Sequence, residues 1–363
     1  MNKNIELLPQ SYRELSDEEI QGQIARAKEQ LGKDLIILGH HYQMDSVIQF
    51  ADKRGDSLAL AQFASQQKRA KYVVFCGVHF MAESADMLTN PEQSVILPDI
   101  DAGCSMADMA EIDDVESAWK TITEITKDKV IPITYINSAA SLKAFCGRHD
   151  GAVCTSSNAQ KIIEWAFKQG KKLFFFPDQH LGRNTAFKLG IALEEMILWN
   201  PKKNLGGNSE SDIQNSKVIL WNGFCSIHEM FKTEHIENWR KNDPDINIIV
   251  HPECPFELVQ KADYAGSTSY IINTIKNAGA GTKWAVGTEV NLVNRLKNEL
   301  KDREVHSLSP FQCLCSTMFR IRPPYLLHVL DQLLNDRVVN QVVVPEDEAH
   351  WARVSLDRML SLS

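Results

Sequence analysis

The chain lacks the features that mark several classes of protein. No apolar run approaches the roughly 18 residues that a membrane-spanning helix requires, and residues 1–15 do not follow the basic-then-apolar order of a secretory signal. Basic residues are outnumbered, with 39 Lys and Arg against 47 Asp and Glu and a net charge of −8, whereas nucleic-acid binders carry a basic face. We therefore expect a cytoplasmic protein with no nucleic-acid or membrane partner.

The residues that are present indicate a folded chain of more than one domain. Of the 363 residues, 44% are hydrophobic and 24% are charged, which is the balance of a globular protein rather than a disordered one. A chain of this length usually folds into more than one domain. The first thirty residues predict a lead-in helix, because Ser16 is a typical N-cap and Ile20, Ile24 and Ala27 follow at helical spacing.

Short apolar runs alternate with amphipathic stretches over most of the chain. Each run is rich in Val, Ile, Leu, Phe or Tyr and ends at a polar residue, a Gly or a Pro. Buried strands that alternate with helices are typical of a parallel α/β architecture. The polar segment 200–217 breaks this rhythm and is predicted to be a surface loop. The apolar runs lie at 34–42, 71–77, 94–99, 129–137, 151–157, 171–178, 217–223, 246–253, 262–269 and 283–289.

Three of the predicted strands end in polar sequences that we call the site tags. They are LGHHY at 38–42, TYINS at 134–138 and VHPE at 250–253. In open α/β sheets, ligands bind beyond the carboxyl ends of the strands. The site tags are therefore the candidates for a binding or catalytic site.

A cysteine follows each site tag at a break flanked by Gly or Ser. His40 and Cys104 are 64 residues apart, and so are His251 and Cys315. The cysteine that follows the middle tag, Cys225, is more distant because the polar loop segment intervenes. This repetition predicts three units around a shared centre. The expected domain boundaries are 1–125, 126–240 and 241–363.

Six of the eight cysteines divide into two groups by their local sequence. Cys76, Cys146 and Cys154 lie in apolar surroundings and are expected to be buried, as lone cysteines in α/β proteins usually are. The three that follow the tags precede predicted helices, whose N-termini favour the thiolate. Three thiolates do not complete a structural zinc site, whereas on a four-iron cluster they leave one iron open to substrate. A catalytic thiol, zinc and simple core cysteines remain alternatives at this point.

A series of motifs in fixed order resembles the quinolinate synthase family, whose members build the pyridine ring in de novo NAD biosynthesis. The resemblance runs from about residue 30 to about residue 320. The motifs are LGHHYQ, DSLALA, FCGVHFMAESADML, LPDIDAGCSMADM, TYINSAASLKA, CTSSNA, FFPDQHLGRN, WNGFCSIHEMF, VHPECP, GSTSYII and CLCSTM.

The resemblance implies a fold and a cofactor. The fold is three homologous three-layer α/β/α domains with parallel sheets in a pseudo-threefold arrangement and the active site at their junction. The cofactor is one [4Fe-4S] cluster per chain, held by Cys104, Cys225 and Cys315, with an open iron as Lewis acid. Cys313 is the alternative third ligand, because the chain has CLCSTM where family members often show CxxCxxC. The FRIRPP sequence that follows also departs from the family's usual Met-x-Asn.

The implied activity is a transferase reaction in which iminosuccinate and dihydroxyacetone phosphate condense to quinolinate, with release of phosphate and water. An aspartate-oxidising enzyme is the expected partner that supplies iminosuccinate. One alternative is a different iron–sulfur hydro-lyase that only dehydrates its substrate. Another is an electron carrier or binding module with a structural cluster, although such a protein needs no convergent His, Tyr and Glu.

The site tags supply the expected site residues. Tyr42, Tyr135 and Glu253 are the expected catalytic residues, and Glu253 is the candidate general base. His40 and Tyr42 are spaced i and i+2 at a strand end, so their side chains are expected on the same side. The expected substrate-binding residues are His40, Ser57, Tyr135, Ile136, Asn137, Ser156, His251, Pro252, Glu253 and Thr268. Those expected near the site without a direct role are His180, Arg183 and His228.

Three of the expected substrate-binding residues are hydroxyl residues near predicted helix starts. Ser57, Ser156 and Thr268 lie in GDSLALA, CTSSNA and GSTSYII. A hydroxyl at such a position caps the helix, and with backbone N–H groups it forms an anion site suited to carboxylates and phosphate. Both roles stay open from the sequence.

Overall fold

The computed structural model describes residues 8–362 and divides into two compact units. The first unit contains the described residues up to Cys104 together with Leu314–Glu346, and the second contains Ser105–Cys313 and the described residues from Asp347 onward. Within the described range, no helix combines the length and the apolar character needed to cross a membrane.

The first unit is built on one sheet, whose strands are β1 (Leu35–His40), β2 (Lys53–Gly55), β3 (Tyr72–Cys76), β4 (Ser94–Ile96) and β14 (Gln341–Val342). They lie in the order β14-β4-β3-β1-β2. All pair in parallel except β14, which runs antiparallel to β4. The helices of this unit are α1 (Gln10–Arg13), α2 (Asp17–Leu31), α3 (Asp45–Ile48), α4 (Ser57–Gln66), α5 (His79–Leu88) and α15 (Pro323–Leu334).

The second unit contains two parallel sheets. The strands of one are β5 (Val130–Tyr135), β6 (Ala152–Cys154), β7 (Lys172–Phe176), β8 (Met196–Trp199) and β9 (Val218–Trp221), in the order β6-β5-β7-β9-β8. The strands of the other are β10 (Asn247–Val250), β11 (Tyr264–Ala265), β12 (Lys283–Gly287) and β13 (Glu304–Ser307), in the order β11-β10-β12-β13.

The helices of the second unit connect these strands or cover the sheets. Helix α16 begins at the last residue of the first unit and continues into the second. The helices are α6 (Ile112–Ile125), α7 (Ala140–Arg148), α8 (Ala159–Gln169), α9 (Gln179–Lys188), α10 (Glu210–Asn215), α11 (Thr233–Asn242), α12 (Phe256–Lys261), α13 (Thr268–Asn277), α14 (Val290–Glu299) and α16 (Glu346–Ser361).

The predicted α/β class is confirmed by three largely parallel sheets flanked by helices. All residues of β7 are buried, including Phe174, Phe175 and Phe176, because helices cover both faces of such a sheet. Each of the ten predicted apolar runs contains a strand. Four strands lie outside the predicted runs, namely β2, β8, β13 and β14, and all four are at sheet edges. Edge strands are less enclosed and therefore less apolar. The domain boundaries stay a prediction.

Helix α2 confirms the predicted N-cap. The Ser16 hydroxyl accepts a hydrogen bond from the backbone N–H of Glu19 at 3.3 Å, and the Glu19 carboxylate accepts one from the N–H of Ser16 at 2.9 Å. Ile20, Ile24 and Ala27 are buried, and α2 packs against α15. Residues 1–7 of the predicted lead-in helix lie outside the described residues.

The prediction of a surface loop at 200–217 is wrong for its second half. Helix α10 lies there, and its Ile213 side chain is fully buried in the core. The ammonium group of Lys172, on β7, donates to the backbone carbonyls of Ile213, Gln214 and Ser216. A cation at the last carbonyls of a helix stabilises it. Composition alone does not reveal this contact, because the cation comes from a distant strand.

Two helical glycines differ in the space around them. A Cβ atom on Gly147 of α7 would lie 2.0 Å from the backbone oxygen of Trp351 on α16. A Cβ atom on Gly22 of α2 would meet nothing closer than the guanidinium of Arg26, at 3.9 Å. The packing of α16 on α7 therefore depends on the absence of a side chain at Gly147.

Alanine at these two positions is expected to change stability in opposite directions. Gly22→Ala should stabilise the protein by roughly 0.5–1 kcal/mol, because alanine loses less backbone entropy in a helix. Gly147→Ala should destabilise it by roughly 1–3 kcal/mol, because α16 must shift to relieve the overlap. Thermal unfolding of both variants measures this, and a Gly147→Ala protein as stable as the parent would contradict the packing described.

Candidate functional site

The tag of the first unit places two aromatic rings together at the carboxyl end of β1. The rings of His40 and Tyr42 make an edge-to-face contact with centroids 4.8 Å apart, so the predicted common side is confirmed. The backbone N–H of Tyr42 donates to Nδ1 of His40 at 3.2 Å. Because Nδ1 accepts, the neutral ring carries its proton on Nε2. His40 itself is buried.

The third tag repeats this local geometry in the second unit. His251 and Glu253 follow β10, and the backbone N–H of Glu253 donates to Nδ1 of His251 at 3.3 Å. The His-x-Tyr and His-x-Glu sequences therefore form the same turn, with the same ring nitrogen accepting the N–H of residue i+2. The predicted repetition is confirmed in the backbone geometry of the first and third site tags, and for the middle tag it stays a prediction.

The carboxylate of Glu253 is the centre of a buried hydrogen-bond network. Its side chain is 4% exposed. The hydroxyl of Tyr135, at the end of β5, donates to Oε1 at 2.6 Å, and Nδ1 of His228 lies 3.0 Å from Oε2. The rings of His228 and His251 stack with centroids 4.6 Å apart, and Nε2 of His228 lies 3.3 Å from the Thr288 hydroxyl. Two sheets of the second unit thus contribute to one polar cluster.

The surroundings of Glu253 stabilise its ionised form. Burial raises the pKa of this carboxyl. The electrostatic interactions with His251 and His228 and the hydrogen bonds from His228 and Tyr135 outweigh burial and lower the pKa to about 2. A carboxyl whose pKa is depressed in the folded state adds stability above the pKa of the unfolded chain. That stability is lost as the pH falls through about 2.

The pKa of a second buried carboxyl, that of Asp178, is shifted in the opposite direction. Burial, and then the charge of Glu253, raise the pKa of Asp178 well above its usual range. Asp178 caps α9 by accepting a hydrogen bond from the N–H of Leu181 at 2.6 Å, and the backbone N–H of Cys225 also lowers its pKa. Two neighbouring carboxyls with pKa values shifted in opposite directions are a common feature of acid–base sites.

Cys225 lies beside the same cluster. The thiol of Cys225, a ring nitrogen of His228 and a carboxylate oxygen of Glu253 all lie within 4.8 Å of one another. Thiolate, imidazole and carboxylate are all metal ligands. The thiol of Cys225 and the buried carboxylate therefore share one location in the second unit, although the sequence predicts only the cysteine as a ligand.

Burial separates the cysteines into two groups. Cys104, Cys225 and Cys315 are half-buried, whereas the other five are fully buried. Burial raises the pKa of the Cys76 thiol to about 12 and raises those of Cys254 and Cys313. A thiol must ionise and be reachable to bind a metal. The partition matches the three predicted ligands and favours Cys315 over Cys313.

Each half-buried cysteine precedes a single 3₁₀ turn, not the longer helix that the sequence predicts. The turns are Ala107–Met109, His228–Met230 and Met318–Arg320, each beginning three residues after its cysteine. A three-residue turn has too few aligned peptides for a helix dipole. The predicted thiolate stabilisation by a helix N-terminus is therefore wrong, while the three-fold repetition is preserved in the backbone.

The three predicted hydroxyl residues are not helix caps. Asp56 caps α4 and Ser267 caps α13, so Ser57 and Thr268 are instead the first residues of those helices. Ser156 precedes α8 by three residues. Capping therefore does not explain these hydroxyls.

The loop after β5 holds two further predicted residues. The N–H of Ile136 donates to the carbonyl of Cys154 at 2.8 Å, and the Ser138 hydroxyl donates to the carbonyl of Tyr135 at 2.7 Å. The side-chain oxygen of Asn137 is buried and accepts no hydrogen bond from residues 8–362. The loop is fixed, and this oxygen is available to a ligand.

Ser156 and Pro252 line a cavity of about 540 Å³ in the second unit. Asn184 also lines it, and its amide donates to the carbonyls of Pro252 and Cys254 at 2.9 Å each. Asn184 thereby fixes the turn that carries Glu253. The sequence reasoning missed this residue, although it lies in the PDQHLGRN motif. His180, of the same motif, instead contacts Glu229 at 2.9 Å.

The chain is similar to known proteins over nearly its whole length. A family model described as Quinolinate synthetase A protein matches residues 22–361. The quinolinate synthase of Anoxybacillus flavithermus is 57% identical over 354 residues, covering 98% of this chain and 96% of that protein. That of Geobacillus sp. (strain WCH70) is 56% identical over 361 residues, covering 99% and 98%. That of Rhodopirellula baltica is 53% identical over 363 residues, covering 97% and 93%.

Removal of the Tyr135 hydroxyl should raise the pKa of Glu253. A hydrogen bond to a charged group contributes roughly 1.5–3 kcal/mol, so Tyr135→Phe should raise it by roughly 1–2 units. The titration can be followed by ¹³C NMR of glutamate-labelled protein, with Glu253→Gln to assign the resonance. Tyr264→Phe, at an exposed position on β11, is the control. An unchanged titration in Tyr135→Phe would contradict the network.

Proposed function

The chain belongs to the quinolinate synthetase A protein family, and from this membership we infer that it is an enzyme that makes quinolinate in NAD biosynthesis. We propose that it condenses iminosuccinate with dihydroxyacetone phosphate. One molecule of each gives one quinolinate, one inorganic phosphate and two waters, so the atoms balance. The observation that carries this proposal is the buried Tyr135–Glu253–His228 network beside the thiol of Cys225.

The half-buried cysteines fit the iron–sulfur cofactor of the family. We propose that Cys104, Cys225 and Cys315 hold one [4Fe-4S] cluster per chain. The partition by burial supports this assignment, since these three cysteines are half-buried and each follows a site tag at a break flanked by Gly or Ser. When bound, such a cluster supplies a Lewis-acidic iron without a protein ligand.

Tyr135 and Glu253 are proposed to move protons during condensation and ring closure. The Tyr135 hydroxyl already directs its proton toward Oε1 of Glu253. As the Tyr135 oxygen takes a proton from the substrate, its own hydroxyl proton can therefore pass to that carboxylate. A base with a pKa near 2 is weak, but the carboxylates and phosphate of the substrates bring negative charge, which raises the pKa of Glu253 toward a useful range. Tyr42 is proposed to assist in the same way from the first unit.

The remaining predicted residues are proposed to bind the anionic substrates. The rings of His40 and His251, each with Nδ1 accepting a backbone N–H, are proposed to bind the carboxylates or hydroxyls of the substrates. Ser57 and Thr268 begin helices of ten residues whose N-terminal N–H groups favour anions. Asn137 offers its buried carbonyl oxygen to a substrate donor. The other residues proposed to contact substrate are Ser156, Ile136 and Pro252.

Three wider expectations are retained as proposals. The units are proposed to belong to a pseudo-threefold arrangement of three domains with the substrates at their junction. The protein is proposed to act in the cytoplasm. An aspartate-oxidising enzyme is proposed to supply iminosuccinate.

Product analysis tests the proposed reaction. Anaerobic protein is incubated with dihydroxyacetone phosphate and iminosuccinate formed in situ, and quinolinate and phosphate are quantified together. Equal amounts of both support the proposal. A dehydrated product of a single substrate would indicate a hydro-lyase, and no conversion by iron-loaded protein would indicate a carrier or binding module.

Serine in place of each proposed ligand should release the iron. Cys104→Ser, Cys225→Ser and Cys315→Ser are expected to lose the cluster absorbance and the activity. Cys146→Ser and Cys313→Ser should keep both and lose only stability, by roughly 1–3 kcal/mol, because a hydroxyl replaces a buried thiol. Iron content after anaerobic reconstitution measures this. Iron retained in Cys315→Ser but lost in Cys313→Ser would overturn the third assignment.

The carboxylate of Glu253 should matter for turnover but not for the cluster. Glu253→Gln keeps the shape and removes the proton acceptor, so turnover should fall by roughly 100-fold or more. Cluster absorbance and substrate affinity should stay near those of the parent. If turnover stays near normal, Glu253 only positions the substrate, and Tyr135 or Tyr42 takes the proton.

A further inference from the structure

An ion pair joins the two cysteine loops of the first unit. Nε of Arg320 lies 3.0 Å from Oδ2 of Asp99, and Nη2 lies 3.4 Å from Oδ1 of Asp99 and 3.2 Å from Oδ2 of Asp101. The two aspartates precede Cys104 by five and three residues, and Arg320 follows Cys315 by five. One guanidinium therefore bridges the loop of one half-buried cysteine and the loop of the other.

Both loops are held internally by short-range hydrogen bonds. The N–H of Asp101 donates to Oδ1 of Asp99 at 3.1 Å, and the N–H of Ala102 donates to the Asp99 carbonyl at 3.1 Å. On the other loop, the N–H of Phe319 donates to the carbonyl of Cys315 at 2.9 Å. A restraint at the guanidinium is therefore transmitted to both cysteines through a few fixed residues.

The same 3₁₀ turn is also tied to the first site tag. The side-chain amide of Gln43, which is fully buried, donates to the backbone carbonyl of Met318 at 3.1 Å. Gln43 follows Tyr42 directly in the chain. The turn that carries Arg320 therefore touches both the cysteine loops and the segment that bears His40 and Tyr42.

We propose that Arg320 is a positioning residue that keeps Cys104 and Cys315 at the spacing that cluster binding requires. The inference rests on the proposed assignment of these cysteines as ligands. Asp99 and Asp101 place two carboxylates on the loop of Cys104, and like charges repel. Arg320 offsets this repulsion, and its planar guanidinium meets Asp99 through two nitrogens, a paired geometry that the single ammonium nitrogen of a lysine lacks.

A general contribution to stability is the competing explanation. Exposed ion pairs usually contribute little, and the side chains of Arg320 and Asp101 are 42% and 70% exposed. The side chain of Asp99 is 7% exposed and meets two nitrogens of the guanidinium, which makes its position well defined. We therefore expect loss of the Arg320 side chain to change the two loops and the binding of their cofactor, with little change in the unfolding midpoint of the whole chain.

Arg322 provides a matched control for Arg320. It lies two residues further on, is exposed, and stacks its guanidinium on the ring of Tyr325 at 5.5 Å. Arg320→Ala and Arg322→Ala therefore remove the same charge from the same segment. Iron release to a chelator under anaerobic conditions should be about 5-fold faster or more in Arg320→Ala, and intermediate in Arg320→Lys. In 1 M salt the difference should shrink, because partly exposed charges are screened.

Two measurements on cluster-free protein separate the possible outcomes. The unfolding midpoints of Arg320→Ala and Arg322→Ala should agree within about 2 °C. In a Cys225→Ser background, nitroxide labels on Cys104 and Cys315 should show a broader distance distribution in Arg320→Ala than in Arg322→Ala. Equal iron release and equal distance distributions would overturn the inference. A parent protein that binds no iron would refute the ligand assignment, while the label distances would still decide whether Arg320 holds the loops.

Discussion

The cost of removing charge from water determines how the polar residues of this chain are arranged. Glu253 is buried yet ionised, and it is stable there because Tyr135, His228 and His251 surround it. Loss of one partner would leave a buried charge without compensation. The need for these partners requires β5, β10 and the turn after β9 to meet with little freedom. The cavity lined by Ser156 and Pro252 depends on that arrangement.

The same cost of desolvation separates the thiols into two groups that differ in burial. A fully buried thiol, such as Cys76 or Cys313, has a raised pKa and behaves as a small apolar side chain. Cys104, Cys225 and Cys315 are reached by solvent and follow one repeated backbone pattern, a cysteine and then a 3₁₀ turn. Desolvation therefore opposes ionisation at Glu253, where hydrogen-bond partners overcome it, and raises the pKa of the buried thiols, where nothing offsets it.

Sequence patterns predict the parts of this structure that depend on local periodicity. The apolar runs predict the central strands, and the i, i+2 spacing predicts the contact between His40 and Tyr42. Contacts between distant residues are not predictable in this way. The hydrogen bond from Tyr135 to Glu253 spans 118 residues, and the bridge from Arg320 to Asp99 spans 221. Four of the edge strands, β2, β8, β13 and β14, and helix α10 are not predicted either, because their sequence patterns are weak. Helix α10, for example, depends on Lys172 of a distant strand.

A count of iron, inorganic sulfide and zinc per chain in anaerobically purified protein tests the central claim most directly. The claim is that three accessible cysteines, and not the five buried ones, define a cluster site beside a buried acid–base network. The account predicts a brown protein with about four irons and about four sulfides per chain. A colourless protein that holds one zinc per chain and makes quinolinate at full rate would contradict it.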